Sequence, residues 1–402
     1  MNKKAIQKPF KHPFLSQFVY APAFLPFSDR EVLLFDEELA RYEQLFLSPD
    51  IEKNLITKNE LLASFAISKA EDSKLTLQEA QDVYDFVVNN KDYNFVRNKL
   101  KKKQVLTQKD YEKLEFFNIA KTFRTLNQNP FFVDDLTPTL VKDVHRQLTQ
   151  GLDVFTHLSE FNVYKSGKWR DNDTIRVGEY IPAPYQTIEK GVEELITFLK
   201  KNTSVSGLAV FHTALYSLHP FHNGNKRVCR ILEHILLRSI GLNAKNLYGT
   251  SYYYHKQKVR YYKYLLYSLE RKNLNHFVSF IIEALILSII SVVKTSIEIK
   301  RNEYIGKQEV DTQIKNMLKP LIKRKEVQFK NLFKHSKRKM ARQTFVTYLQ
   351  KAIDEHIIMK REAGRTTHYR LNVATPEEET LQKWLPFAQK RLSYIPDDIK
   401  LT

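Results

Sequence analysis

The chain has 402 residues, room for two or three domains, and its 43% apolar and 27% charged content excludes a disordered or collagen-like polymer. A net charge of +19 points to an anionic partner such as a nucleotide, nucleic acid or membrane headgroups, unless the surplus lysines only solvate helix faces. The one cysteine, Cys229, excludes an intramolecular disulfide and, among apolar neighbours at helical spacing, reads as a small packed residue.

Glycine and proline are scarce, which favours a mainly α fold with short connections. The N-terminus, MNKKAIQKPFKHPFL, is basic but lacks the apolar stretch of a signal peptide. Residues 1–110 read as an N-terminal helical domain. After a proline-rich entry (Pro9, Pro13, Pro22, Pro26), apolar positions recur at helical spacing through Ile56–Phe65 and Leu77–Val88, with Thr76 and Glu79 spaced as a capping box.

Residues 111–300 read as a helical core interrupted by one insert, residues 164–184. Its β-branched and aromatic residues between glycine and proline suggest a short β-hairpin flap or an extended one. Helical patterning resumes at Ile188–Leu199 and Leu208–Leu218. The apolar run Phe277–Val293 falls short of the roughly 20 residues of a spanning helix and contains Glu283, so it reads as a buried central helix of a soluble, cytoplasmic chain with no membrane partner. Residues 305–375 form a basic module and 376–402 a tail.

The densest chemistry lies in His219-Pro220-Phe221-His222-Asn223-Gly224-Asn225-Lys226-Arg227-Val228-Cys229-Arg230. An apolar helix ends near Leu218 and a new one starts near Asn225. Gly224 lets the backbone turn and approach a ligand, and the new helix start offers N–H groups and dipole to an anion. Lys226, Arg227 and Arg230 supply three cations beside it. Neutral His219 can take a proton from a hydroxyl, Phe221 reads as a buried anchor, and His222 points elsewhere. A base beside a phosphate cradle suggests phosphoryl or nucleotidyl transfer. The plainer reading, a helix–helix loop with surface arginines, leaves the ordered combination of base, anchor, glycine and cations unexplained.

This stretch resembles the Fic family motif HPFx(D/E)GNGRxxR. The insert ending Tyr180-Ile181-Pro182-Ala183-Pro184 and opening with Trp169-Arg170 is similar to the family's flap, and the N-terminal layer resembles the helical domain preceding many Fic cores. The resemblance implies transfer of AMP from ATP to a protein hydroxyl, the target unknown. It makes His219 the general base, puts Asn225 and the Gly224 backbone at the α-phosphate, and puts Arg227 and Arg230 at the β- and γ-phosphates. The flap would align a target segment by strand-like pairing. Asn223 replaces the family's acidic Mg²⁺ ligand with a neutral oxygen, which lowers metal affinity, so the expected Mg²⁺ would be held mainly by the ATP phosphates. Lys226 stands where AMP-transferring members carry glycine and resembles Doc-type members, which phosphorylate their targets.

Many Fic proteins also carry an inhibitory helix of pattern (S/T)xxxE(G/N). The stretch Ile67–Asp72 is similar to it at Glu71, with Ile67 and Asp72 as departures. A Glu71–Arg230 pair would exclude a phosphate; an ordinary helix-end carboxylate is the alternative.

Towards the C-terminus, Val327–Phe333 suggests a short helix, residues 334–339 a basic turn, and 342–357 a longer helix. Residues 358–371 alternate like a hairpin with a glycine tip. Helix, turn, helix and basic hairpin is the order of a winged helix-turn-helix. In that fold Arg342, Gln343, Thr344 and Thr347 would face the DNA major groove, with Lys360, Arg361 and Arg365 near phosphates; protein docking is the other use of such a module. The expectation is therefore a Fic-type protein adenylyltransferase acting on a target or on itself, held back by Glu71. A Doc-like kinase and a nucleotide-sensing DNA-binding regulator are the alternatives, and assembly into a homo-oligomer is left open.

Overall fold

The computed structural model describes residues 6–129, 131–158, 165–336, 340–363, 366–397 and 399. The chain divides into two compact units, residues 1–37 with 56–288, and residues 38–55 with 289–402. The expected boundary near residue 110 falls inside the first unit. The reason is packing: the Leu77–Val88 helix buries Ala80, Val83, Tyr84 and Val87 in one cluster with Phe116, Phe117 and Ala120 of the Gln108–Gln128 helix. An amphipathic helix this short has to bury its stripe against a neighbour.

The first unit is helical. Its centre is the Val205–Leu218 helix, buried at every residue, as a helix apolar on all sides must be. The helices Pro138–Thr149, Ile188–Lys201 and Asn225–Ser239 each bury an apolar face in this unit. The capping box forms as expected: Thr76 Oγ1 accepts from the Glu79 N–H, and Glu79 reaches back to the Thr76 N–H at 2.9 Å. Cys229 is buried. The insert carries one antiparallel bridge, Val177 with Tyr180, and no strand ladder among its described residues. Its first residue, Tyr164, lies outside the described ones.

The run Phe277–Val293 lies in a helix extending from Asn275 to Lys307, longer than expected. By length and composition this helix could cross a membrane, yet 83% of its most apolar stretch is buried inside the protein. Glu283 is satisfied there by Tyr253 and Arg260, its Oε1 accepting from the tyrosine hydroxyl at 2.6 Å.

The second unit has its own core, with Ile314, Leu318, Leu332, Phe345, Leu349, Ile358 and Tyr369 among its buried members. Two helices, Phe329–Ser336 and Arg342–Asp354, precede an antiparallel pair, Ile358–Ala363 and Thr366–Leu371, in register Lys360 to Tyr369. Val327 and Gln328 were expected to be helical. They form a short strand on the other edge of Thr366–Leu371, Val327 opposite Tyr369, because the valine side chain completes the core beneath the sheet. Residues 376–402 were expected to be a tail. Glu378–Gln389 is instead a helix burying Leu381, Trp384 and Ala388, with the Trp384 indole N–H donating to Glu38 at 2.5 Å.

Candidate active site

The loop after the central helix is made by three local devices. His219 ends the helix in the left-handed region, φ 50° and ψ 61°, while its N–H still reaches the Tyr216 carbonyl at 3.1 Å. A non-glycine residue held there stores about 1–3 kcal/mol of strain, which only a well-packed surrounding sustains. Gly224 turns the chain back at φ +79° and caps the Asn225–Ser239 helix, whose first N–H groups face the loop. Asn225 then clasps Phe221: its Oδ1 accepts from the Phe221 N–H at 2.9 Å and its Nδ2 donates to the Phe221 carbonyl at 2.8 Å. The amide expected at the α-phosphate is thus committed to shaping the loop.

Phe221 is fully buried, as expected for an anchor, and stacks on His145 with ring centroids 3.8 Å apart and planes 3° from parallel. His145, on the buried face of Pro138–Thr149, holds the loop as well. The Gly167 N–H donates to its Nδ1 at 3.0 Å, which makes Nδ1 the acceptor. Nε2–H then donates to the Asn223 carbonyl at 3.0 Å. Burial pushes the His145 imidazole down to about 3, matching this neutral tautomer. In the sequence His145 carries no signal of this role, since a histidine amid Val141, Val144 and Leu148 looks like an ordinary core position.

His219 is buried, its ring edge-on to Tyr216. Burial, then the nearby cations Arg170 and Lys226, push it down to about 3, so the imidazole is neutral and able to accept a proton at physiological pH. Its Nδ1 is buried and has no hydrogen-bond partner among the described residues. Such an atom costs about 1–3 kcal/mol unless a ligand group satisfies it.

The three expected cations diverge instead of sharing one cradle. Lys226 Nζ donates to the Ala70 carbonyl at 3.1 Å and to the Tyr262 hydroxyl at 3.0 Å. Arg227 is completely buried between Glu115 Oε1 at 2.7 Å and Asn223 Oδ1 at 3.1 Å. Arg230 donates to the Ala66 carbonyl at 3.1 Å with its guanidinium 4.5 Å above the Tyr261 ring. A buried cation must be paired or stacked, and the elements packed around the helix supply those groups. The sequence signal for Glu115 is a carboxylate on the same helical stripe as Tyr111, Leu114 and Asn118. His222 turns away, its Nε2 3.0 Å from Asp171.

The segment carrying the expected brake lies against this helix, since the Ala66 and Ala70 carbonyls receive Arg230 and Lys226. Ile67 is fully buried, and Glu71 ends a 3-10 turn, Lys69–Glu71; the Glu71 side chain lies outside the described residues. The donors at the loop do not fit a protein-held Mg²⁺. Asn223 Oδ1 already accepts from the Gly224 N–H at 2.6 Å and from Arg227. Asp171 is taken by His222 and Lys165, and no cluster of three or more metal-binding side chains occurs among the described residues.

In the second unit Arg342, Gln343, Thr344 and Thr347 are exposed on one helix. Lys360 and Arg361 are exposed too, but each meets a carboxylate, Glu362 at 2.8 Å and Glu326 at 2.5 Å. Arg365 lies outside the described residues.

A neutral buried histidine beside a helix start can accept a proton next to an anionic group. Residues 135–237 match the Fic/DOC family, and the chain carries a Fic/DOC family domain there. Solved structures similar to the chain include a Fic family protein from Desulfovibrio desulfuricans G20, at 17% identity and TM-score 0.49, covering 87% of this chain and 99% of that one. A Fic domain containing signaling protein from Bacteroides thetaiotaomicron VPI-5482 matches at 14% identity and TM-score 0.45, over 66% and 97%. Fic-1 (residues 134–508) from C. elegans matches at 16% and 0.47, over 66% and 72%. The family commonly carries out AMPylation or other nucleotidyl transfer.

Proposed function

We propose that this chain transfers AMP from ATP to a Ser, Thr or Tyr hydroxyl of a protein, itself included, in the cytoplasm. The hydroxyl oxygen attacks the α-phosphorus, pyrophosphate leaves, and the hydroxyl proton passes to His219. The observation that carries the reading is His219 itself. It is neutral, buried, held in a strained backbone conformation, and its Nδ1, beside the Gly224-capped helix start, has no partner among the described residues. A phosphate oxygen fits the start of the Asn225–Ser239 helix, where the helix dipole favours an anion; Lys226, Arg227 and Arg230 on that helix add positive charge while their side chains are engaged elsewhere. Incubation with ATP and candidate targets, read by intact mass, should show an adenylyl adduct that His219→Ala abolishes. Mg²⁺ should be varied in the same assay, since no cluster of three or more metal-binding side chains occurs among the described residues.

Lys226 favours a second reading, phosphoryl transfer, because it stands where AMP-transferring members of the resembled family carry glycine. A phosphoryl adduct in the same mass assay would select it. The brake belongs to the proposal as well: Glu71→Gly should raise transfer, and an unchanged rate would remove Glu71 from the account.

The second unit supports a DNA-binding role through its two helices and antiparallel pair, with Arg342, Gln343, Thr344 and Thr347 exposed together. Retarded DNA mobility that weakens with salt would support it. If nucleotide binds without transfer while DNA is retarded, the chain is a nucleotide-sensing regulator.

A further inference from the structure

We propose that Arg170 is the positioning residue of this site, locking His219 and both ends of the 169–184 segment into one geometry. The inference rests on the reading of His219 as the base. The Arg170 side chain is 1% exposed, and its guanidinium is spent almost wholly on backbone carbonyls. Nε donates to the His219 carbonyl at 2.8 Å. Nη2 donates to the Ala183 carbonyl, with Leu218 at 3.4 Å, and Nη1 donates to the Asn172 carbonyl at 2.7 Å and to Asp173 Oδ1 at 2.8 Å. The Arg170 N–H adds a bond to the Pro220 carbonyl at 2.8 Å. One side chain therefore joins the end of the central helix, the residue carrying the base, and the start and finish of the insert.

Only an arginine can do this, because its planar fork presents five donors at fixed angles. The one carboxylate it meets, Asp173, is about half exposed and also accepts the Tyr185 N–H at 2.8 Å, which ties the exit of the insert to the same point. The charge acts on the base as well. The groups facing the His219 imidazole are Arg170 from the insert, Lys226 from the following helix and the Tyr216 ring from its own helix. The positive field of the two cations opposes protonation and keeps the imidazole in its accepting form.

The test compares Arg170→Gln, Arg170→Lys and Asp173→Asn with the parent chain. Rates with ATP, nucleotide affinity, melting temperature and NMR titration of the histidine rings are measured on each. Loosening the base should lower kcat about 100-fold in Arg170→Gln, with nucleotide affinity held within about twofold. The His219 imidazole should titrate at higher pH, moving the acid limb of the rate profile with it. Arg170→Lys keeps the charge without the fork, so it should retain the His219 titration while still losing kcat. A folded Arg170→Gln with unchanged kcat and unchanged His219 titration overturns the proposal, as does a loss confined to KM. If Arg170→Gln fails to fold, Asp173→Asn decides: a kcat loss of about tenfold at unchanged affinity supports it, and an unchanged kcat overturns it. Should the parent chain transfer nothing, the functional reading fails. The NMR titration of His219 across the variants then still decides the positioning.

Discussion

Glu115 and Arg227 form an ion pair at 2.7 Å with both side chains essentially removed from solvent, at 1% and 0% exposure. Glu115 Oε1 also accepts from the Tyr111 hydroxyl at 3.0 Å, while Arg227 reaches on to Asn223 Oδ1. The pair fastens the first helix of the core to the helix that starts at the loop.

Removing one partner should expose the cost of an uncompensated buried charge. Glu115→Ala is expected to lower unfolding free energy by about 3–5 kcal/mol in urea titrations. Glu115→Gln, which keeps shape and an acceptor, should cost less. Equal stability of Glu115→Ala and the parent chain would show that Arg227 finds another partner.

His145 joins the loop to the Gly167 amide through two hydrogen bonds and a stacked ring. His145→Phe keeps the stack on Phe221 and leaves the Asn223 carbonyl and Gly167 N–H unsatisfied. A stability loss of about 2–4 kcal/mol is expected, with transfer activity falling further than the lost stability explains. Denaturation and turnover on one preparation test both parts. Activity equal to the parent chain's would relieve His145 of any part in shaping the loop.

Three histidines, His145, His219 and His234, are pushed down from an ordinary value of 6.5 to about 3, burial being the largest cause in each. Between those values the unfolded chain binds protons that the folded chain does not. Stability therefore rises with pH and is lost on acidification through this window. Each histidine contributes up to about 1.4 kcal/mol per pH unit there. Melting temperature should fall steadily between about pH 7 and pH 5. His234→Gln, away from the loop, should flatten the slope by about one proton. A flat profile in the parent chain would contradict neutral burial of these rings.

Thr76 and Glu79 close a capping box at the start of a helix whose buried face joins the Gln108–Gln128 helix. Thr76→Ala should cost about 1 kcal/mol. Thermal melts of Thr76→Ala and Thr76→Ser separate the cap from the methyl group, since serine should restore most of the loss.

The apolar periodicities, the capping box, the glycine turn and the ordered run from His219 to Arg230 could be read directly, because each depends on residues within one or two helical turns of one another. So could the burial of Phe221 and of the Phe277–Val293 run. What no local pattern carried were the partners. His145 lies 78 residues from the Asn223 carbonyl that it holds, and Glu115 lies 112 residues from Arg227. The direction of each cation was hidden for the same reason. Lys226, Arg227 and Arg230 occupy neighbouring positions along one helix, so spacing suggested a shared cradle. Their destinations are set by the carbonyls of Ala66 and Ala70, by Glu115 and by Tyr261, groups that only chain folding brings to the helix. Local chemistry determined which residues could do the work; burial, which obliges every charge and amide to find a partner, decided where each one points.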